Sequence, residues 1–184
     1  EAVEEFHQLT DHFQHRFPDR LCATGFLEFA RPVISDGVEA LMAQGAKQIS
    51  AIPGMLMAAG HAKNDIPSEL NNIQASHEGL TINYGAELGV DAKMLQVAQQ
   101  RIEECEGAFG EDYQRADTLL CVVGRGASDA DANSNISKIT RMLEEGMGFA
   151  WAITCYSGVT TPLVLDALKR AHGLGFKKVI VFPY

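Results

Sequence analysis

Closely spaced cysteines are missing from this sequence: Cys22, Cys105, Cys121 and Cys155 stand far apart, and no CxxC occurs. That excludes a zinc knuckle and a thioredoxin-type redox pair. Cys22, Cys121 and Cys155 fall in apolar runs and are expected to be reduced core residues, which fits a cytoplasmic protein. Basic residues are scarce too, with 15 Lys and Arg against 24 Asp and Glu and a net charge of −9. A general nucleic-acid binder needs a dense basic surface, so that class is excluded. An anionic small ligand is not, because it needs only local donors. No apolar run approaches the roughly 20 residues of a membrane span, and no signal-peptide pattern opens the chain, so a membrane partner is not expected.

What is present is ordinary globular material, 184 residues of which 46% are hydrophobic, enough for one domain or two small ones with a real core. Apolar strand patterns cover 20–29, 48–57, 79–87, 118–124, 149–157 and 178–184. Helical patterns lie between them, at 1–16, 33–44, 66–76, 91–105, 132–146 and 162–173. Such alternation means βαβ units and a parallel sheet. Runs such as "LLCVV" and "KKVIVF" lack period-two alternation, as expected of strands covered on both faces. The polar segment 106–117, "EGAFGEDYQRAD", is the candidate linker.

The chain also repeats itself. Residues 1–54 laid on 131–184, a constant shift of 130, match at eight positions, among them Pro32 with Pro162, Asp36 with Asp166 and Gly45 with Gly175. The chemistry of the matches says more than their number. Both prolines follow an apolar strand and are expected at the first helical position, where a missing N–H is harmless. "GAKQISAIP" and "GFKKVIVFP" each read as a glycine helix stop, a lysine and a strand closed by proline. Two similar α/β lobes follow, an internal duplication, with expected bounds 1–112 and 113–184. The second-lobe stretch "LLCVVGRGASDADAN" has its counterpart before Glu1, and the counterpart of His61 falls beyond Tyr184. Both ends of the chain therefore read as trimmed.

One stretch stands out chemically. In "AIPGMLMAAGHAKNDIPSEL", residues 51–70, an apolar run ends in small residues and Gly60, then His61, Lys63 and Asp65 precede Pro67. Gly54, Ala58, Ala59 and Gly60 leave room for a ligand to approach the backbone. Asp65 is expected to be the N-cap of the helix holding Pro67 and Glu69. His7, His12 and His15 lie on one helix and read as solvated, and His77 and His172 as surface residues. Met55 and Met57 read as strand core, and Trp151 as a buried aromatic. Gly124-Arg125-Gly126 lacks the third glycine of a dinucleotide fingerprint and the Lys-Ser/Thr of a phosphate loop.

Taken together, "EAVEEFHQL", "GFLEFARP", "IPGMLMAAGHAKNDIP", "VVGRGASDADAN", "YSGVTTP" and "VIVFPY" resemble the class II tetrapyrrole chelatases, in particular the long, two-lobed sirohydrochlorin cobaltochelatases. The resemblance implies two flavodoxin-like lobes and insertion of Co²⁺ into sirohydrochlorin on the way to cobalamin. The alternatives are Fe²⁺ insertion for sirohaem, Ni²⁺ as a further metal, or a non-catalytic metal or tetrapyrrole carrier. It implies no organic cofactor, an anionic tetrapyrrole as partner, and a monomer with two pseudo-symmetric lobes. The family holds its metal through a histidine, a glutamate and a second histidine. By motif, Glu28 matches the glutamate and His61 the last histidine, and the first histidine falls upstream of this sequence. The second lobe has Arg125 at the place of the first histidine and Gly158 opposite Glu28, and is expected to have lost metal binding.

The chemistry suits those residues. In a doubly wound sheet ligands bind at strand carboxyl ends, where Glu28 and His61 are expected. Imidazole and carboxylate are ligands for first-row divalent metals, with no thiolate to favour Cu(I). Metal insertion displaces two pyrrole N–H protons, and imidazole and carboxylate are groups able to take them. Lys63, Arg31 and Arg125, with backbone N–H groups near Gly60, are the candidate contacts for the substrate's carboxylates.

Overall fold

The computed structural model describes residues 2–184; Glu1, the first residue of the helix read over 1–16, lies outside the described residues. The chain falls into two compact units, Glu1–Pro53 with Gly60–Ala86, and Gly54–Ala59 with Glu87–Tyr184. The polar stretch 106–117 lies wholly inside the second unit and is not the link between them.

In the first unit, α1 (Ala2–Arg16) and α2 (Ile34–Ala43) precede β1 (Gln48–Ala51). A π-helical turn, His61–Asp65, then runs straight into α3 (Ile66–Ser76), and β2 (Thr81–Tyr84) follows. β1 and β2 pair in parallel, Gln48 opposite Thr81 through Ala51 opposite Tyr84. Val38 and Leu41 of α2, Ile49 of β1, and Leu70 and Ile73 of α3 form the core with Leu80.

The second unit contains α4 (Ala92–Glu106), β3 (Thr118–Gly124), α5 (Ala130–Met147), β4 (Trp151–Tyr156), α6 (Val164–Gly173) and β5 (Lys178–Pro183). Its sheet is parallel with order β4-β3-β5. Successive residues of a strand face opposite sides, and β3 divides its side chains accordingly. Leu120 and Val122 pack with Ala98 and Ile102 of α4 and Ile139 and Leu143 of α5, while Leu119 and Cys121 pack with Ala167 and Ala171 of α6. Helices thus cover both faces, which is why "LLCVV" carries no alternation. Cys121 and Cys155 meet in this core with sulfurs 3.3 Å apart, and burial pushes the Cys121 thiol up to about 12. They are reduced core residues, as expected. Cys22 is half-buried outside any strand and Cys105 is exposed.

The repeat is structural. The isolated bridge Phe26–Val33 recurs as Tyr156–Leu163, each pair shifted by 130. Phe29 has φ +62° and Val159 φ +64°, and the bonds before Pro32 and Pro162 are both cis. Gly45 and Gly175, at φ +91° and +85°, end α2 and α6 as the glycine stops predicted.

Four further expectations about these elements need correction. The strand expected over 20–29 reduces to the bridge at Phe26, since no described strand lies beside it to supply a ladder. Its counterpart β4 takes its ladder from β3 alone. For the same reason Leu9 and Phe13 of α1 are 63% and 47% exposed, while Ile139 and Leu143, their counterparts on α5, are fully buried against β3. Pro32 and Pro162 stand one residue before the caps Val33 and Leu163, not at the first helical position. Trp151, expected buried, is 54% exposed at the start of edge strand β4. Met55 and Met57 lie beyond β1, which stops at Ala51 two residues before Pro53, and Met57 packs instead on the core of the second unit.

The polar anchor of the second unit is Glu106 at the end of α4. It accepts from Arg115 Nε at 2.8 Å, again from Arg115 Nη2, and from the Tyr113 hydroxyl. Hydrogen bonding from Arg115 holds the Glu106 carboxyl below its ordinary 4.5, so its contribution is complete above that value and is lost as acid protonates it. Arg115→Ala should therefore lower unfolding free energy by about 2 kcal/mol at neutral pH, and by less in acid. Denaturant unfolding of both proteins at the two pH values tests this. An equal gap at both would remove the carboxylate from the explanation.

Candidate functional site

The local geometry of His61 is set by a missing hydrogen. The Ile66 N–H reaches back five residues to the His61 carbonyl, the π spacing, and Pro67 has no N–H to continue the series. The carbonyl next in register is that of Ala62, which is only 5% exposed and has no water to turn to. Tyr84, the last residue of β2, supplies the donor: its hydroxyl reaches the Ala62 carbonyl at 2.9 Å. The turn is thereby tied to the carboxyl end of the sheet of the first unit.

That turn brings His61 and Asp65 together, with Nδ1 2.7 Å from Oδ2 and both side chains about half exposed. An ionised carboxylate only accepts, so in the neutral ring Nδ1 carries the hydrogen and Nε2 keeps its lone pair. Nε2 has no partner among the described residues. Asp65 was expected as an N-cap. No cap bond from its side chain forms, because the helix does not begin there but continues out of the π turn. Lys63 is exposed on the same turn. Gly60 opens it at φ −44°, and a Cβ there would meet nothing within 4 Å. The fold itself makes no demand for glycine at that point.

Glu28 lies in the loop 27–32 of the same unit, closed by Phe26 N–H donating to the Pro32 carbonyl at 2.8 Å. The second unit builds the same loop, with Tyr156 N–H donating to the Pro162 carbonyl at 2.9 Å, around Gly158 in place of the glutamate. The loop thus closes without a carboxylate. Glu28 is exposed and makes no hydrogen bond or ion pair among the described residues, so no structural task accounts for it.

Arg125 belongs to the second unit, in the turn after β3, and is exposed. Its flanking glycines answer to packing. A Cβ on Gly124 would lie 3.1 Å from Ile136, and one on Gly126 only 2.0 Å from the Gly158 carbonyl. Neither glycine implies a phosphate loop. Arg31 is paired to Asp36 at 3.2 Å, and the same carboxylate accepts the Val33 N–H at the start of α2.

His12 and His15 are exposed, with Nδ1 on the carbonyls of Gln8 and Asp11, and His7 packs on the ring of Phe26. Among the described residues no three His, Cys, Asp or Glu side chains gather into a metal cage. Gly60, His61, Lys63 and Asp65 thus share one turn, and Glu28 stands in a separate loop of that unit. Sequence reasoning missed the His61–Asp65 pairing and the Tyr84 latch. The four-residue spacing and Pro67 signalled the first. Nothing local signalled Tyr84, which is distant in the chain.

The model of the CbiX family matches residues 1–105 and 119–184. The chain belongs to the CbiX family. A sirohydrochlorin cobaltochelatase of Priestia megaterium is 39% identical over 166 residues, 89% of this chain and 53% of that protein. A sirohydrochlorin ferrochelatase of the same organism is 33% identical over 159 residues, 86% of this chain and 58% of that protein. The solved structure of SirB from Bacillus subtilis with Fe³⁺ superposes with a TM-score of 0.76 at 27% identity, over 87% of this chain and 61% of that one. This chain spans just over half the length of the two Priestia relatives. Among its described residues no helix is long and apolar enough to cross a membrane.

Tyr84→Phe removes the hydroxyl that donates to the Ala62 carbonyl and should cost about 1 kcal/mol of stability. Amide exchange in residues 61–66 should rise in the variant before exchange elsewhere in α3 does. Uniform exchange across the helix would mean that the latch does not hold the turn.

Proposed function

We propose that this protein is a sirohydrochlorin chelatase that inserts Co²⁺ into its tetrapyrrole. The observation that carries the proposal is the π turn at the carboxyl end of a parallel sheet, presenting a histidine with its outer nitrogen unengaged. In this reading His61 Nε2 and the Glu28 carboxylate are the metal's protein ligands. Insertion forms metal–nitrogen bonds, breaks two pyrrole N–H bonds and releases two protons, which Glu28 and His61 receive as they let the metal go. Neither ligand belongs to a closed cage, and a metal that must leave is best held that way. The exposed cations Lys63 and Arg125 and the open backbone at Gly60 are assigned to the substrate's carboxylates, which the acidic chain would otherwise repel. Residues 1–112 and 113–184 are read as the two lobes of the duplication.

A second reading, the same reaction with Fe²⁺, is favoured by the ferrochelatase relative and by SirB with Fe³⁺. Imidazole and carboxylate suit both ions, and selectivity between them depends on supply as much as affinity. A carrier that binds metal or tetrapyrrole without turnover is the remaining alternative.

An anaerobic absorbance time course with metal-free sirohydrochlorin and either Co²⁺ or Fe²⁺ tests the proposal. Conversion is expected to exceed the protein-free rate, to run faster with Co²⁺, and to fall by about 100-fold in His61→Ala. Glu28→Gln, which keeps the loop, should lose rate while keeping stability. Conversion no faster than the protein-free mixture overturns the enzyme and leaves the carrier. Faster conversion with Fe²⁺ assigns the iron reaction.

A further inference from the structure

We infer that Asp65 is a positioning residue, holding the His61 imidazole in the one tautomer and orientation that direct Nε2 outward as a metal ligand. The inference rests on the proposed reading of His61 as a ligand and adds the group that readies it.

A neutral imidazole has two tautomers, and only the one with hydrogen on Nδ1 leaves Nε2 able to bind a cation. Asp65 Oδ2, 2.7 Å from Nδ1, selects that tautomer and fixes the ring plane. The aspartate has no competing structural task. Its side chain does not cap α3, although it stands at the start of that helix. With both side chains about half exposed, the pair itself adds little to stability, since solvent screens it. What the pair supplies is direction.

The backbone is arranged to keep it. Residues 61 and 65 share a face because they stand four apart on one helical turn. The turn is fixed by the Ile66 N–H to His61 carbonyl bond, by Pro67, and by the Tyr84 hydroxyl on the Ala62 carbonyl. A carboxylate on the inner nitrogen of a metal-binding histidine also makes the outer nitrogen a better donor, and losing such a partner typically weakens metal binding about 10- to 100-fold.

The test reads the His61 ring nitrogens by nuclear magnetic resonance in the metal-free protein, at a pH where the ring is neutral, and Co²⁺ affinity by titration. The native protein should show hydrogen on Nδ1. Asp65→Ala should populate the other tautomer and weaken Co²⁺ binding about 10-fold or more. Asp65→Asn, whose amide oxygen still accepts from Nδ1, should keep the native tautomer and most of the affinity. Hydrogen on Nε2 in the native protein overturns the inference, and that spectrum decides even if Asp65→Ala fails to fold. Unchanged tautomer and affinity in Asp65→Ala also overturn it. A tautomer shift with Co²⁺ affinity untouched even in His61→Ala overturns the metal reading of His61, while the tautomer assignment survives.

Discussion

Among the described residues every ladder joins parallel strands, β1 to β2 in one unit, and β4 and β5 to β3 in the other. Parallel neighbours cannot be joined by a tight turn, so each connection is a crossover that carries a helix. In the second unit helices cover both faces of the sheet and its central strand β3 is apolar on both sides, whereas β1 and β2 alternate exposed polar residues with inward apolar ones. Within each unit all strands also end at the same edge. The turn after β3 that carries Arg125 lies at that edge of the second unit, and the Tyr84 latch fixes the His61 turn at that edge of the first. Chemistry gathers there because backbone pairing leaves the carboxyl-end loops free to vary while their roots stay fixed.

Much of this was legible in the residues, for reasons that differ by element. α5 shows a helical period and β3 a continuous apolar run closed by Gly124, so local pattern was sufficient for each. The glycine stops at Gly45 and Gly175 follow from left-handed backbone, which few other residues adopt. The segment 20–29 misled because an apolar run becomes a strand only beside a partner, and partnership is not a local property. Trp151 misled because an aromatic at the mouth of an edge strand satisfies strand propensity without burial. The candidate site was half legible. His61 and Glu28 follow from motif, but the Tyr84 latch joins residues 22 apart and answers a vacancy that Pro67 creates only once the π turn exists.

The duplication separates what the fold requires from what the chemistry requires. The loops 27–32 and 157–162 share a bridge, a left-handed residue and a closing hydrogen bond, yet one holds Glu28 and the other Gly158. Two copies of one backbone with different side chains form a natural control. Whatever the copies share serves folding. A charged group that one copy has and the other does without, exposed and unpaired among the described residues, takes no part in closing the loop.

The same logic accounts for the modest look of the His61 turn. A ligand meant to keep its metal would be buried, with several others around it. Here the imidazole is half exposed, one carboxylate stands behind it, and no further His, Cys, Asp or Glu gathers with them among the described residues. For a protein that must surrender a metal to a stronger chelator, a deep site would be a trap, because each kilocalorie of metal affinity adds to the barrier for release. What such a site requires is direction without depth. In the proposed reading Asp65 gives the ring its direction, and the Ile66 N–H to His61 carbonyl bond, Pro67 and the Tyr84 hydroxyl hold the turn that carries both residues without adding a ligand.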